Sequence, residues 1–361
     1  MGQITIRCKG CGGAVSYDAE TEKLKCPYCG QEEALPATQT QIREIAIEEA
    51  LQGLPNRDSA ALEAHKVQTC QSCGASIAYD EKKPSRRCDF CGAEAVSEAV
   101  LAGLPLEPQG VLPFSITPSE AQGAFQRWLR SLWFAPSDLT KRAKLEDLRG
   151  IYLPLWTFDA QAQAHWRAVP GWYRTRQERY FNPTTRRNEY RTVQYVEWGA
   201  PVSGFTQERF DDVGVSGLQT LPQRYISEVG GFSTATDLID YDARYFLGWD
   251  VSLPDKALPT AWQEAQQTIR AQMETLCKAQ IPGDTHRDFR MDMSLSQATT
   301  KLTYVPLYIL AYRYGGKPYR VVVHGRTSVV GGDRPISWWK VLALLAAIGA
   351  GLFLLWKSGL L

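Results

Sequence analysis

Beyond residue 110 the apolar positions of the chain follow two periods, one helical and one extended. In "ITPSEAQGAFQRWLRSLWF", Ala121, Phe125, Trp128, Leu129 and Leu132 recur at helical spacing and form a single stripe. Thr117 precedes the stripe as an N-cap, Pro118 takes the first helical position, and Glu120 falls three residues after the cap. A second helix is predicted over "SDLTKRAKLEDL". The period then shortens to two. "GIYLPLWTFDA" and "TYVPLYILAYRYGGKPYRVVVHGRTSVVGGDRP" read as strands, with Tyr152-Leu-Pro154-Leu-Trp156 and Tyr304-Val-Pro306-Leu-Tyr308 sharing one pattern. Proline has no ladder donor, so each strand is expected to have an edge or a bulge there. Gly315-Gly316 predicts a hairpin turn into "YRVVVHG". One long helix, about residues 261–280, interrupts the sheet and is expected to start at a Thr260…Gln263 capping box. Residues 111–335 therefore read as one α+β domain, with two N-terminal helices and a largely antiparallel sheet.

The pattern changes again at the end of the chain. Residues 341–356 carry no charge, and a helix over residues 338–356 spans ~28 Å at ~1.5 Å per residue, against a bilayer core of about 30 Å. Trp338, Trp339 and Trp356 flank the run as an interfacial belt, and Lys340 and Lys357 can snorkel at its ends. Residues 336–357 thus read as a single-pass transmembrane tail anchor in a lipid bilayer. Arg326, Arg334 and Lys340 place the amino-terminal bulk on the cytoplasmic side. No apolar segment follows Met1, so no secretory signal is expected.

Before residue 110 the informative residues are cysteines. Eight of the nine fall in four Cys-x-x-Cys pairs: Cys8, Cys11, Cys26 and Cys29, then Cys70, Cys73, Cys88 and Cys91. Both sets follow C-x2-C-x14-C-x2-C, and the second repeats the first at an offset of 62 residues together with the pairs Tyr17-Asp18 and Tyr79-Asp80. Gly12, Gly30, Gly74 and Gly92 follow the second cysteine of each pair, where positive φ closes the knuckle. "AVSYD" and "SIAYD" read as short strands that bring the knuckles together. Two sets of four thiolates at this spacing predict two structural Zn2+ ions, with rubredoxin-like iron the main rival and an electron carrier its consequence. A saturated ion leaves no open position for catalysis. The expected organisation is zinc ribbon 1 at 1–34, an acidic helical linker at 35–66, zinc ribbon 2 at 67–97 and a linker at 98–110.

Charge refines this picture. The formal net charge is +1, but residues 1–110 sum to about −5, leaving about +6 for the rest. Each all-cysteine zinc site adds about −2, so the ribbons are expected to bind protein rather than phosphate backbones. The positive charge concentrates in "HWRAVPGWYRTRQERYFNPTTRRNEYR". There Arg167, Arg174, Arg176, Arg179, Arg186, Arg187 and Arg191 interleave with Trp172, Tyr173, Tyr180, Phe181 and Tyr190. This stretch reads as a hairpin turning at "NPTT". Its basic residues suit a solvated face, contact with anionic headgroups or a platform for single-stranded nucleic acid.

Catalytic patterns are absent. His65, His165, His286 and His324 show no ligand spacing, and no phosphate-cradling G-x-x-x-x-G-K-[ST], G-x-S-x-G or H-E-x-x-H occurs. His324 continues a strand pattern, and Cys277 reads as a packed thiol on the apolar side of the long helix with Trp262, Ile269, Met273 and Leu276.

Taken together, the ribbons, "GIYLPLWTFDA", the "YGGKPYRVVVHG" hairpin and the terminal anchor resemble a bacterial family of TFIIB-type zinc-ribbon proteins, often labelled primosomal protein N′-like helicases. A motor needs a phosphate-cradling loop with its lysine, which the chain lacks, so the helicase label is not expected to apply. The resemblance implies a membrane-tethered docking role at a bacterial inner membrane, beside a phage-shock protein A-type membrane-stress protein. The expected function is a noncatalytic, tail-anchored adaptor that recruits protein partners, the alternative being a membrane-attached nucleic-acid-binding protein.

Overall fold

The structure, a computed structural model, describes residues 6–35, 42–52, 65–70, 76–78, 88, 96–101, 107–139, 148–183, 186–234, 236–315 and 317–357. At the amino terminus β1 (Ser16–Asp18), β2 (Lys23–Lys25) and β3 (Glu32–Ala34) form a small antiparallel sheet. Next come β4 (Ile45–Ala46), the short helix α1 (Ile47–Leu51), β5 (His65–Cys70), β6 (Ser76–Ala78), β7 (Val96–Leu101) and β8 (Gly110–Val111). Helix α2 (Pro118–Ser131) precedes a 34-residue strand β9 (Arg149–Asn182), which turns into β10 (Arg187–Trp198) and β11 (Val202–Ser216). Helix α3 (Gln223–Glu228), β12 (Ile239–Asp240), β13 (Asp250–Ser252), the long helix α4 (Leu258–Ala279) and a 30-residue strand β14 (Thr285–Tyr314) follow. β15 (Lys317–His324), β16 (Val330–Gly332) and α5 (Trp338–Lys357) complete the chain.

The architecture is mixed α+β around one large sheet of strands β4 to β16. The sheet is antiparallel except for two short parallel pairings, β13 on β9 and β8 on β14. Its spine is the β9–β14 pair, in register from Thr285↔Gly171 to Ile309↔Arg149 with two bulges. Strand periodicity divides the core. Ile151, Leu153 and Leu155 of β9 and Val305, Leu307 and Ile309 of β14 point to one face, under Tyr225 and Ile226 of α3. On the other face Tyr152, Tyr304 and Tyr308 pack under Ala121 and Phe125 of α2. Further along that face Trp156, Phe158, Ala160, Ala162 and Ala164 lie under Ile269, Met273 and Cys277 of α4. The alanine run lets the helix approach the sheet closely, and Cys277 is fully buried with its Sγ 3.8 Å from Met291 Sδ.

The capping box before α2 forms as the sequence predicts: the Glu120 N–H donates to Thr117 Oγ1, and the Thr117 N–H donates to Glu120 Oε2. The second predicted helix falls largely on residues 140–147, outside the described residues. The start of α4 differs from expectation. It begins at Leu258 with Ala257 at the N-cap, and no side chain caps it. Pro259 fits the first turn, where its missing N–H is not needed, so the helix starts ahead of Thr260 and no Thr260…Gln263 box forms.

The two prolines also depart from expectation. β9 and β14 are central strands, and their register shifts lie elsewhere. Pro154 instead sits where the neighbour of β9 changes from β11, which ends at Ser216↔Leu155, to β13, which pairs at Val251↔Tyr152. Pro306 sits where the neighbour of β14 changes from β8 at Tyr304↔Val111 to β15 at Leu307↔His324. A missing donor costs nothing at such a seam. Each proline carbonyl is still used, accepting from Gly217 N at 2.9 Å and Gly325 N at 3.0 Å.

Candidate metal centre and neighbouring surfaces

Two knuckles build the cysteine site. The Cys8 N–H donates to the Gly13 carbonyl at 2.7 Å and the Gly12 N–H returns to the Cys8 carbonyl at 2.9 Å. The second knuckle repeats this, with Cys26 N to Gln31 O and Gly30 N to Cys26 O both at 2.9 Å. Gly12 and Gly30 adopt φ of 74° and 75°, as the sequence predicts, with open space where a Cβ would stand. Their requirement is therefore conformational rather than steric.

The four sulfurs of Cys8, Cys11, Cys26 and Cys29 lie within 4.8 Å of one another. Cys8 Sγ is 3.5 Å from Cys29 Sγ, and Cys11 Sγ is 3.4 Å from Cys26 Sγ. A tetrahedral ion bound at ~2.3 Å separates its sulfurs by about 3.8 Å, so this set could hold a metal ion with little rearrangement. Backbone N–H groups of Cys11 and Gly10 push the Cys8 thiol down. Desolvation raises Cys26, but the N–H groups of Cys29 and Tyr28 outweigh it and bring the thiol to about 6. The Gln31 N–H favours ionised Cys29, yet the neighbouring sulfurs of Cys11 and Cys8 push it up to about 12. The pocket thus favours some thiolates and resists a full set without a cation.

This module is joined to the large domain. Tyr17, in the middle of β1, is buried, and its hydroxyl donates to the Phe114 carbonyl at 3.0 Å. Its own N–H donates to the Leu247 carbonyl at 2.8 Å, and its carbonyl accepts from Trp249 Nε1 at 3.0 Å. Leu24 is buried in the same core. Gly248 permits the contact, because a Cβ there would stand 2.7 Å from the Ser16 Cβ. The module is therefore a docked part of the body rather than a free head.

The second cysteine set is only partly described. Cys70, at the end of β5, and Cys88 are buried, whereas Cys73 and Cys91 lie outside the described residues, as do Gly74 and Gly92. β5, β6 and β7 form one end of the large sheet, joined to the rest through β6 on β13, at Val251↔Ala78.

The arginine-rich stretch forms the predicted hairpin, pairing Arg187↔Asn182 through Trp198↔Gly171. β14 begins opposite Gly171, so the hairpin runs past the end of β14. Cross-strand register distributes its arginines over two faces. Arg174, Arg176, Arg187 and Arg191 share one face with Trp172, Tyr180, Glu178, Glu189 and Glu197. Arg179 shares the other with Tyr173, Phe181 and Tyr190, Arg167 precedes the hairpin opposite Ser203 and Arg290, and Arg186 belongs to the turn. The first face is largely self-neutralised. Arg174 pairs with Glu197 at 2.9 Å, and Glu178 takes both Arg176 and Arg191, at 2.5 and 3.6 Å.

One buried polar cluster escaped the sequence reading. Lys301 bridges Asp212 at 2.7 Å and Glu44 at 3.0 Å, and Asp159 accepts from the Asp212 N–H at 2.8 Å. Burial pushes the Asp159 carboxyl up to about 7, and the Glu44 carboxylate adds to the rise. The cluster fastens the β4 segment to the sheet. His324 ends β15, as its strand pattern predicts, and its Nδ1 accepts from the N–H groups of Arg326 and Thr327 while its ring stacks on Phe232. Burial pushes its pKa down to about 4.

Among the described residues one helix, α5, is a candidate membrane span, with Trp338–Leu355 long and apolar enough to cross a bilayer and none of it buried against the body. Trp338 and Trp339 are exposed at its start, and Lys357 forms its last turn. Lys340 does not extend along the helix. Its Nζ turns back to the carbonyls of Trp133 and Ala135, at 3.1 and 2.7 Å.

Comparison with known proteins adds one relative. The chain is 24% identical over 367 residues to the uncharacterized protein YdjG of Bacillus subtilis strain 168, covering 98% of this chain and 96% of that protein. No family model matches the chain, and no solved structure does.

Proposed function

We propose that the chain is a noncatalytic, membrane-tethered adaptor whose metal-bound ribbons and α+β body present docking surfaces to protein partners at the cytoplasmic face. One observation carries this reading. The body that holds the four-cysteine cluster by Tyr17 also holds the start of an exposed apolar helix by hydrogen bonds to residues 133–135. The metal is zinc, since four thiolates in two knuckles suit that ion and saturate it, and the repeated spacing at Cys70, Cys73, Cys88 and Cys91 assigns a second ion. Resemblance to the TFIIB-type zinc-ribbon family supports the same reading, and a phage-shock protein A-type membrane-stress protein is the first partner to test.

Nucleic-acid binding is the alternative, and the glutamates interleaved with the hairpin arginines count against it. The test is a salt titration of the full-length, zinc-loaded chain in nanodiscs against labelled single- and double-stranded DNA and RNA. Absence of binding at low salt is expected. Micromolar affinity with a steep log–log salt slope would replace the adaptor with a nucleic-acid-binding protein.

A further inference from the structure

One group of exposed apolar side chains on the body lies where α5 departs. Trp133 is 82% exposed and Phe134 40%, in the turn after α2, while Ile336 (53%), Trp338 (71%) and Trp339 (82%) flank the start of α5. Backbone geometry brings these two segments together. The Ser337 N–H donates to the Phe134 carbonyl at 2.7 Å, and Lys340 Nζ donates to the Trp133 and Ala135 carbonyls.

A lysine in the first turn of a helix opposes the macrodipole, which favours cations at the other end. Here two carbonyls of the adjoining turn compensate its ammonium, so Lys340 acts as a clamp. The connection is also short. Asp333 is held by Tyr225 Oη at 2.6 Å and by Arg224 at 2.7 Å, leaving residues 334–337 before α5. Four extended residues reach about 13 Å, so the body cannot stand far from whatever surface α5 enters.

We propose that the turn at residues 132–135 is a second membrane contact, in which Trp133 and Phe134 insert into the lipid headgroup–acyl interface beside the first turn of α5 and fix the tilt of the body on the bilayer. This rests on α5 crossing the membrane. Continuity with that helix identifies lipid as the occupant. Residues 133–134 lie level with residues 337–340, and Trp and Phe side chains at that depth suit the boundary between headgroups and acyl chains. Arg127 and Arg130, exposed on the last turns of α2, supply positive charge on the element leading into this turn, which matches an anionic leaflet.

Fluorine NMR on the full-length chain, labelled with 5-fluorotryptophan and placed in phosphatidylcholine–phosphatidylglycerol nanodiscs, tests the proposal. Trp133→Phe, Trp338→Phe, Trp339→Phe and Trp156→Phe assign the relevant lines. With 5-doxyl lipid added, the Trp133 line is expected to broaden at least twofold together with those of Trp338 and Trp339, while buried Trp156 is unchanged. Broadening of Trp338 and Trp339 without Trp133 would overturn the second contact and leave the anchor intact. If Trp133 then also resists a water-soluble gadolinium chelate, protein rather than lipid covers it. No broadening at any of the three would overturn both the contact and the membrane anchor.

Discussion

The Tyr17 hydroxyl donates to the Phe114 carbonyl, 97 residues away, and the N–H of the same Phe114 donates to the Tyr152 hydroxyl at 3.2 Å. Phe114 lies in a segment between β8 and α2, and two buried tyrosines satisfy both of its backbone groups. Through Tyr17 the stability of the cysteine module and that of the large domain become one quantity. Tyr17→Phe removes the donor and strands a buried carbonyl, so it should cost ~1–3 kcal/mol in urea unfolding of the metal-loaded protein. Gly248→Ala should produce a comparable or larger loss, because it forces a Cβ onto Ser16 at a φ of 84°. Unchanged midpoints in both variants would mean that the module is not docked in solution.

Metal removal should be felt beyond the cysteines. A strong chelator is expected to lower the unfolding temperature of the whole body, because the β1–β2 strands that the knuckles support contribute Tyr17 and Leu24 to the core. Cys26→Ser should do the same without chelator. Elemental analysis should give about two zinc ions per chain in the parent and about one in this variant. Iron in place of zinc, with the red colour of a rubredoxin-like site, would replace the metal assignment.

Legibility in the sequence follows the range of the interaction. The α2 capping box, the β14–β15 hairpin and the knuckle glycines Gly12 and Gly30 are local devices, set by residues within a few positions of one another, and each forms as read. The sequence offers two competing starts for α4 within one turn, Thr260…Gln263 and Pro259, and the helix begins three residues before the expected 261 because proline fits only a first turn. Pro154 and Pro306 mislead for a related reason. A missing donor can be tolerated at an edge, a bulge or a seam between two neighbour strands, and a seam depends on the ends of β11, β13, β8 and β15. The docking of Tyr17 and the Glu44–Asp159–Asp212–Lys301 cluster join residues far apart in sequence, and no short pattern encodes them. The two faces of the arginine hairpin were legible in principle, since period 2 alone sorts Arg174 and Arg176 from Arg179 once the register is known.

The buried cluster predicts a pH dependence. The folded state keeps a proton on Asp159 up to about pH 7, whereas an unfolded aspartate releases it near ~4. Between those values the native state binds more protons, so this group makes stability fall as pH rises from about 4 to about 7. Glu44, held below its ordinary value by Lys301 despite its burial, acts oppositely and at lower pH. Asp159→Asn should flatten the decline in urea-derived stability between pH 5 and 7 and leave the protein more stable than the parent at pH 8. Lys301→Ala leaves Asp212 buried without its cation and should cost ~3–5 kcal/mol.

The hairpin pairs should behave differently. Arg174 and Glu197 are both more than half exposed, so Arg174→Ala should leave the urea midpoint unchanged. Replacing Arg179, Arg186 and Arg187 together by alanine tests for a functional contact near the turn. The adaptor reading predicts no change in nucleic-acid retention at low salt, and loss of measurable binding would establish such a contact.

In the proposed function α5 holds the body at the cytoplasmic face of a membrane. Protease access to the full-length chain in sealed vesicles of known sidedness, with alkaline carbonate washing of a separate aliquot, tests it most directly. The chain is expected to stay in the washed membranes, protease to remove the body in inside-out vesicles, and the body to survive in spheroplasts. Release of the chain by carbonate, or digestion from the outer face, would contradict it.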